Sequence, residues 1–187
     1  MLMSLIIRNQ RGVTLIEVLV TVFILTVGLL GMAGLQSRLQ QSEMEAYQRS
    51  QALLLLNDMA NRLATNRAQA GTYATSLDGI GVGSTCETDT SSQQKIDAGE
   101  WCNALQGAAE MEGTNKLGTM IGGRGCVEDL DDGSYRVSVA WQGLGPLSVP
   151  ANSACGAGKY NGPSGSSCTA DLCRRVVSSI IRVADLK

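Results

Sequence analysis

From Val18 to Leu35 the chain reads VLVTVFILTVGLLGMAGL, 18 residues without a charge. Counted from Val13, a helix over this stretch is about 35 Å long at ~1.5 Å per residue. A bilayer core is about 30 Å thick, so residues 13–35 are expected to cross a membrane. Beyond Leu35 the composition turns polar, but a helical period continues to about Ala70. Leu39, Ala46, Leu53, Leu56, Ala60 and Leu63 recur at spacings of seven and three, which predicts one apolar stripe over 36–70. Glu45 with Arg49, and Asp58 with Arg62, are expected i,i+4 pairs on its solvated side. The first proline is Pro146, so none interrupts this helix.

At Gly71 the texture changes to Gly, Ser and Thr, marking a second region over 71–187. Within it, Asp97–Met111 reads as a short helix with Trp101, Leu105 and Ala108 on one side. Gly133–Gly143 (GSYRVSVAWQG) is the clearest strand, with Tyr135, Val137, Val139 and Trp141 alternating against Arg136, Ser138 and Ala140. Asp131-Asp132-Gly133 before it is a turn. Arg174–Leu186 is a second strand, expected to pair with the first as an antiparallel edge. The fold class is therefore α+β: a long N-terminal helix beside a small antiparallel sheet.

Composition narrows the chemistry. Among 187 residues there is no histidine, which removes Ser-His-Asp and Cys-His nucleophile pairs and histidine-bearing zinc sites. The net charge of −2 gives no basic footprint for nucleic acid. No enzyme activity, cofactor, metal or small-molecule substrate is expected. The acidic cluster Glu128, Asp129, Asp131 and Asp132 lacks the ligand spacing of a calcium loop. Gly79-Ile80-Gly81-Val82-Gly83 and the GGRG stretch lack the setting of a phosphate loop and read as loops.

Six cysteines, Cys86, Cys102, Cys126, Cys155, Cys168 and Cys173, all lie in the polar region. An even number so placed, without a CxxC pair, points to disulfides formed in an oxidising compartment. Such staples suit a small head with a Gly/Ser-rich excursion between its two strands. Of the fifteen connectivities open to six cysteines, pairing of neighbours is one.

The unexpected residue is Glu17, an acid near the start of a membrane-length run. Locally, Thr14-Leu15-Ile16-Glu17 fits a capping box, and a carboxylate there gains about 0.3–1 kcal/mol from the helix dipole. At mid-membrane an acid costs about 2.5–3.5 kcal/mol, less near a helix end. Capping therefore explains why Glu17 is tolerated. It does not explain the leader ahead of it, MLMSLIIRNQRG, which carries Arg8 and Arg11 and no acid. Positive charge before a span holds that end in the cytoplasm. A secretory signal is cut after its apolar stretch, and Met32-Ala33-Gly34-Leu35 is a poor site for that.

Gly12-Val13-Thr14-Leu15-Ile16-Glu17, preceded by a basic leader and followed by the apolar run, resembles the processing site of type IV pilins. The resemblance implies removal of residues 1–12 by a prepilin peptidase cutting between Gly12 and Val13. N-methylation of Val13 would follow, with the apolar helix retained. Val13 stands where the family usually has phenylalanine. The resemblance also implies that Glu17 offsets the charged terminus of a neighbouring subunit, a pairing strongly favoured in a medium of low dielectric.

Further segments, VGLLGMAGLQ, GGRGC, YRVSVAWQG and RRVV, are similar to PilV-type minor pilins, the type IV pilus modification proteins. A pilin-like fold follows as an expectation, with other major and minor pilins and the inner membrane as partners. So does a role in priming pilus assembly, twitching motility or adhesion. The N-terminus would be cytoplasmic and the head periplasmic, then on the pilus at the cell surface. Leu53–Leu56, apolar all round, would lie between the head and another subunit. Gly28, Gly31 and Gly34 would allow close helix packing, or form a weak section. Two alternatives remain: a type II secretion pseudopilin, and an anchored adhesin whose loop around Tyr160 makes the contacts.

Overall fold

The computed structural model describes residues 12–107, 111–112, 115–116 and 120–183. The chain divides into two compact units at Ser42 and Glu43, the boundary falling within one continuous helix, α1 (Leu15–Thr65). Helix α1 passes through Gly28, Gly31 and Gly34 without a break. It ends earlier than the period suggested. Asn66 leaves helical geometry (φ −105°, ψ 41°), and its side-chain amide donates to the Tyr73 hydroxyl at 2.9 Å. The chain continues as a 3-10 helix over Arg67–Tyr73.

In the second unit, α1 buries Gln48, Ala52, Leu56, Met59 and Leu63. This row differs from the expected stripe: Leu39, Ala46 and Leu53 are exposed. A seven-residue repeat drifts about 20° per heptad on a straight helix, so a seven-spaced row cannot stay on one flat sheet. The buried row steps by four, four, three and four residues, which follows the helix period. The expected Glu45–Arg49 pair is also replaced. Glu45 accepts from the Leu144 amide (3.1 Å) and lies 3.5 Å from the Arg175 guanidinium, joining the helix to the sheet.

Four antiparallel strands form the sheet: β1 (Ile80–Gly81), β4 (Arg124–Asp129), β5 (Ser134–Gln142) and β6 (Arg174–Arg182), in the order β1-β4-β5-β6. A separate small ladder pairs β2 (Met111–Glu112) with β3 (Asn115–Lys116). Strands β5 and β6 are the two read from the sequence, and β6 is the edge. Between β1 and β2 lies α2 (Gln93–Leu105), displaced from the expected 97–111. Ser92 caps it by accepting from the Lys95 amide (3.4 Å), which starts the helix early. Gly107, at φ +77°, stops it. Met111 then enters β2, and Ala108 lies outside the described residues.

One sheet face presents Val127, Tyr135, Val137, Val139 and Trp141 to α1 and α2 in a single core. Trp101, fully buried, ties three elements: its indole N–H donates to Leu55 O on α1 (2.9 Å), and its ring lies against β4 at Gly125. A Cβ on Gly125 would meet the ring at 2.2 Å, so a side chain there is incompatible with this packing.

On the other face, which carries Arg136, Ser138 and Ala140, the last two are fully buried. Residues 151–173 fold back over it. Cys155 is bonded to Cys126, Ser153 donates to the Ser138 hydroxyl (3.1 Å), and Arg174 donates to Ser153 O and Cys155 O (2.8 and 3.0 Å). Tyr160 belongs to this second core: it is 3% exposed and its hydroxyl donates to Gly122 O at 2.8 Å. It is therefore a packing residue, not the surface contact expected of an adhesive loop.

The three disulfides join successive cysteines: Cys86–Cys102, Cys126–Cys155 and Cys168–Cys173. The acidic cluster shapes the β4–β5 turn. Glu128 pairs with Arg136, Asp129 accepts from the Asp131 amide (3.0 Å) and Asp132 from the Ser134 amide (2.9 Å).

Candidate functional site

The leader residues 1–11, with Arg8 and Arg11, lie outside the described residues. Gly12, Val13 and Thr14 are non-helical and exposed, so the Gly12–Val13 peptide stands in accessible, irregular backbone just before α1. Thr14 is the cap. Its hydroxyl accepts from the Glu17 amide (3.4 Å) while its carbonyl accepts from the Glu17 and Val18 amides (3.1 and 3.3 Å). Glu17 is thereby held in the first turn of α1, at the positive end of the helix dipole, with its side chain exposed.

The apolar residues that follow have no protein cover. Ile16, Leu19, Phe23, Ile24, Leu25, Leu29 and Leu30 are all more than 60% exposed. The hydroxyls of Thr21 and Thr26 bond back to Val18 O and Phe23 O (both 2.8 Å), so these polar groups are satisfied within the helix. Among the described residues α1 is a helix long and apolar enough to cross a membrane, its first part left entirely uncovered. Burying that surface requires lipid or the helices of other subunits.

The head fixes the second half of α1 through a polar latch built on the expected Asp58–Arg62 pair, whose links to α2 the sequence reading missed. Arg62 reaches Asp58 (3.0 Å), Asp97 (2.9 Å) and Glu100 (2.7 Å), joining α1 to α2. Buried Asp97 also accepts from the Tyr73 hydroxyl and from Gln93 (2.9 Å). Burial disfavours the Asp97 carboxylate, but the bonds from Tyr73, Gln93 and Arg62 outweigh it and hold its pKa below the usual carboxylate range. Burial and the same Asp97 bond push the Tyr73 hydroxyl up to about 12. Asp97 carries one sequence signal, an acid at the start of an otherwise apolar helix face. Nothing local marks Tyr73.

The cysteines lie far from Glu17 in sequence and serve the head; the structure does not gather the processing, assembly and disulfide residues into one site. Among the described residues no cluster of acids and cysteines could hold a metal ion.

Comparison with known families agrees with this arrangement. Residues 7–33 match the prokaryotic N-terminal methylation motif, and residues 34–111 match the family of the type IV pilin Tt1218. Fold and matches point to a structural, filament-forming class of protein. The chain is a member of the type IV pilin superfamily, with a pilin role in a pilus or pseudopilus. Its motif implies processing by prepilin peptidase and assembly with other pilins, and the apolar helix fits anchoring in the inner membrane. No curated protein and no solved structure matches the chain.

Proposed function

We propose that the chain is a minor pilin of the PilV type, which primes or enters a type IV pilus and so supports twitching motility or adhesion. The observation that carries this reading is the second match, to a type IV pilin over residues 34–111. It extends past the methylation motif common to both filament classes. The similarity of GGRGC and YRVSVAWQG to PilV-type proteins supports the subgroup. In the structure those segments are β4 with the turn before it and β5, the strands that meet Trp101 and both cores.

On this reading residues 1–12 are a cytoplasmic leader removed between Gly12 and Val13, and Val13 becomes the methylated terminus. Residues 13–35 span the inner membrane, 36–70 carry the helix into the head, and the stapled head stands in the periplasm before export on the fibre. Glu17 then works as a registration device. An acid surrounded by lipid tails or neighbouring helices is stable where a positive group arrives beside it, and a subunit's own N-terminus supplies one.

Glu17→Ala is expected to leave leader removal intact while lowering recovery of the protein in sheared filaments. Unchanged recovery would leave Glu17 with no more than a capping role. The alternative, a type II secretion pseudopilin, shares the same cut site and helix. Deleting the gene separates the two: loss of surface pili supports the pilus reading, and loss of protein export with normal pili supports the pseudopilus.

A further inference from the structure

Strand β6 has one neighbour, β5, and its other edge is open. The ladder shows which groups face that edge. At its two ends, Val183 N donates to Gly133 O (2.9 Å) and Gly143 N to Cys173 O (2.8 Å). With Ser134 opposite Arg182 and Gln142 opposite Arg174, odd-numbered residues therefore turn their N–H and C=O toward β5. Even-numbered residues turn theirs outward. Leu172, just before β6, follows this rule: its carbonyl is taken by the Leu147 amide at 2.7 Å, so the loop caps the beginning of the edge.

From Val176 the cap is gone. The N–H and C=O groups of Val176, Ser178, Ile180 and Arg182 have no partner among the described residues. This stretch contains no proline and is rich in β-branched residues, and its one charge, Arg182, stands at its end. We infer that the free edge of β6 is a docking site for an extended segment of a different polypeptide, added as a fifth strand.

The flanking side chains give that segment its chemistry. Val177 and Ile181 pack against the main core, so donor residues on that face sit beside apolar surface. On the other face Ser178 and Ile180 are exposed and share a shallow groove with Arg136 and Asn152. Arg182 there is exposed and enters no salt bridge among the described residues. A donor alternating apolar with acidic residues fits both faces.

A second copy of this chain paired antiparallel through the same edge does not fit. Two β6 strands paired antiparallel in one continuous sheet are related by a two-fold axis perpendicular to it. That axis reverses any element lying along the sheet, so the two α1 helices would point in opposite directions. One membrane, or one filament of parallel helices, cannot hold both.

The test uses the full chain in detergent and a nine-residue peptide, the length of β6, alternating valine and glutamate, with a valine–lysine peptide as comparison. The acidic peptide should bind and protect the amides of Ser178 and Ile180 from hydrogen exchange. Ile180→Pro removes one outward N–H and leaves the β5 ladder intact, so it should weaken binding about tenfold with thermal unfolding little changed. Arg182→Glu should shift preference toward the lysine peptide. Failure of the acidic peptide to bind, or equal binding by Ile180→Pro, overturns the inference. So does a wild-type dimer that Ile180→Pro converts to monomer, since the edge would then belong to a second copy. None of these outcomes depends on whether the filament is a pilus or a pseudopilus.

Discussion

At the scale of single residues, two acids do different work. Glu17 is exposed at a helix start, where local capping makes it tolerable, and its proposed counter-charge comes from a neighbour. Asp97 is buried and complete within its own chain, with bonds from Arg62, Tyr73 and Gln93. Its pKa is lowered on folding, so its contribution to stability is full above the unfolded carboxylate value of about 3.9. That contribution is lost as pH falls through the lower folded value. Tyr73, raised to about 12 from 10.0, works in the opposite sense: its share is full below about 10 and is lost as pH rises toward 12. Denaturant titrations of wild type and Asp97→Asn should differ by about 2 kcal/mol at neutral pH and converge as pH falls below the usual carboxylate range. Parallel curves across that range would remove the latch from the account.

At the scale of elements, the head is a sheet covered on both sides by segments of unequal intrinsic stability. Helices α1 and α2 cover one face through an apolar core. Residues 151–173 cover the other with few apolar groups, held by Cys126–Cys155, Arg174 and Tyr160. Replacing both Cys126 and Cys155 by alanine opens a loop of 29-residue separation, the longest of the three, at an expected cost of about 3–4 kcal/mol. Proteolysis should then begin within 151–173 while α1 and β5 stay protected. Cleavage elsewhere first would mean the segment is held by other contacts.

These elements also show where sequence reasoning reached its limit. Strands β5 and β6 were legible because alternation and β-branched runs are local signals. Strand β4 was not: RGCVED offers only Cys126 and Val127 as buried side chains of any size, and its place in the sheet comes from β5 and Trp101. The turn at Asp131-Asp132-Gly133 could have revealed it, since a turn that tight implies a strand on each side. The covered second face was hidden for a related reason. Gly/Ser texture looks the same in a loose loop and in one stapled to a sheet. On α1, period alone suggested Leu39, Ala46 and Leu53 along with Leu56, Ala60 and Leu63; the core keeps Leu56 and Leu63 and takes Gln48, Ala52 and Met59 instead of the first three.

At the scale of the whole molecule, the N-terminal unit and the head answer different demands. The head closes its own cores. The first part of α1 exposes its apolar side chains and, as an isolated object in water, is incomplete. Such a segment is stable first in a bilayer and then among the helices of a fibre. The methylation motif matched at residues 7–33 covers the exposed Gly12–Val13 peptide, the cut site we propose. The most direct test is the intact mass of the protein recovered from membranes or filaments. The account predicts a chain beginning at N-methylated Val13 and keeping its apolar helix through Leu35. A mature form that retains Met1, or one cut beyond Leu35 and released without the helix, would contradict it.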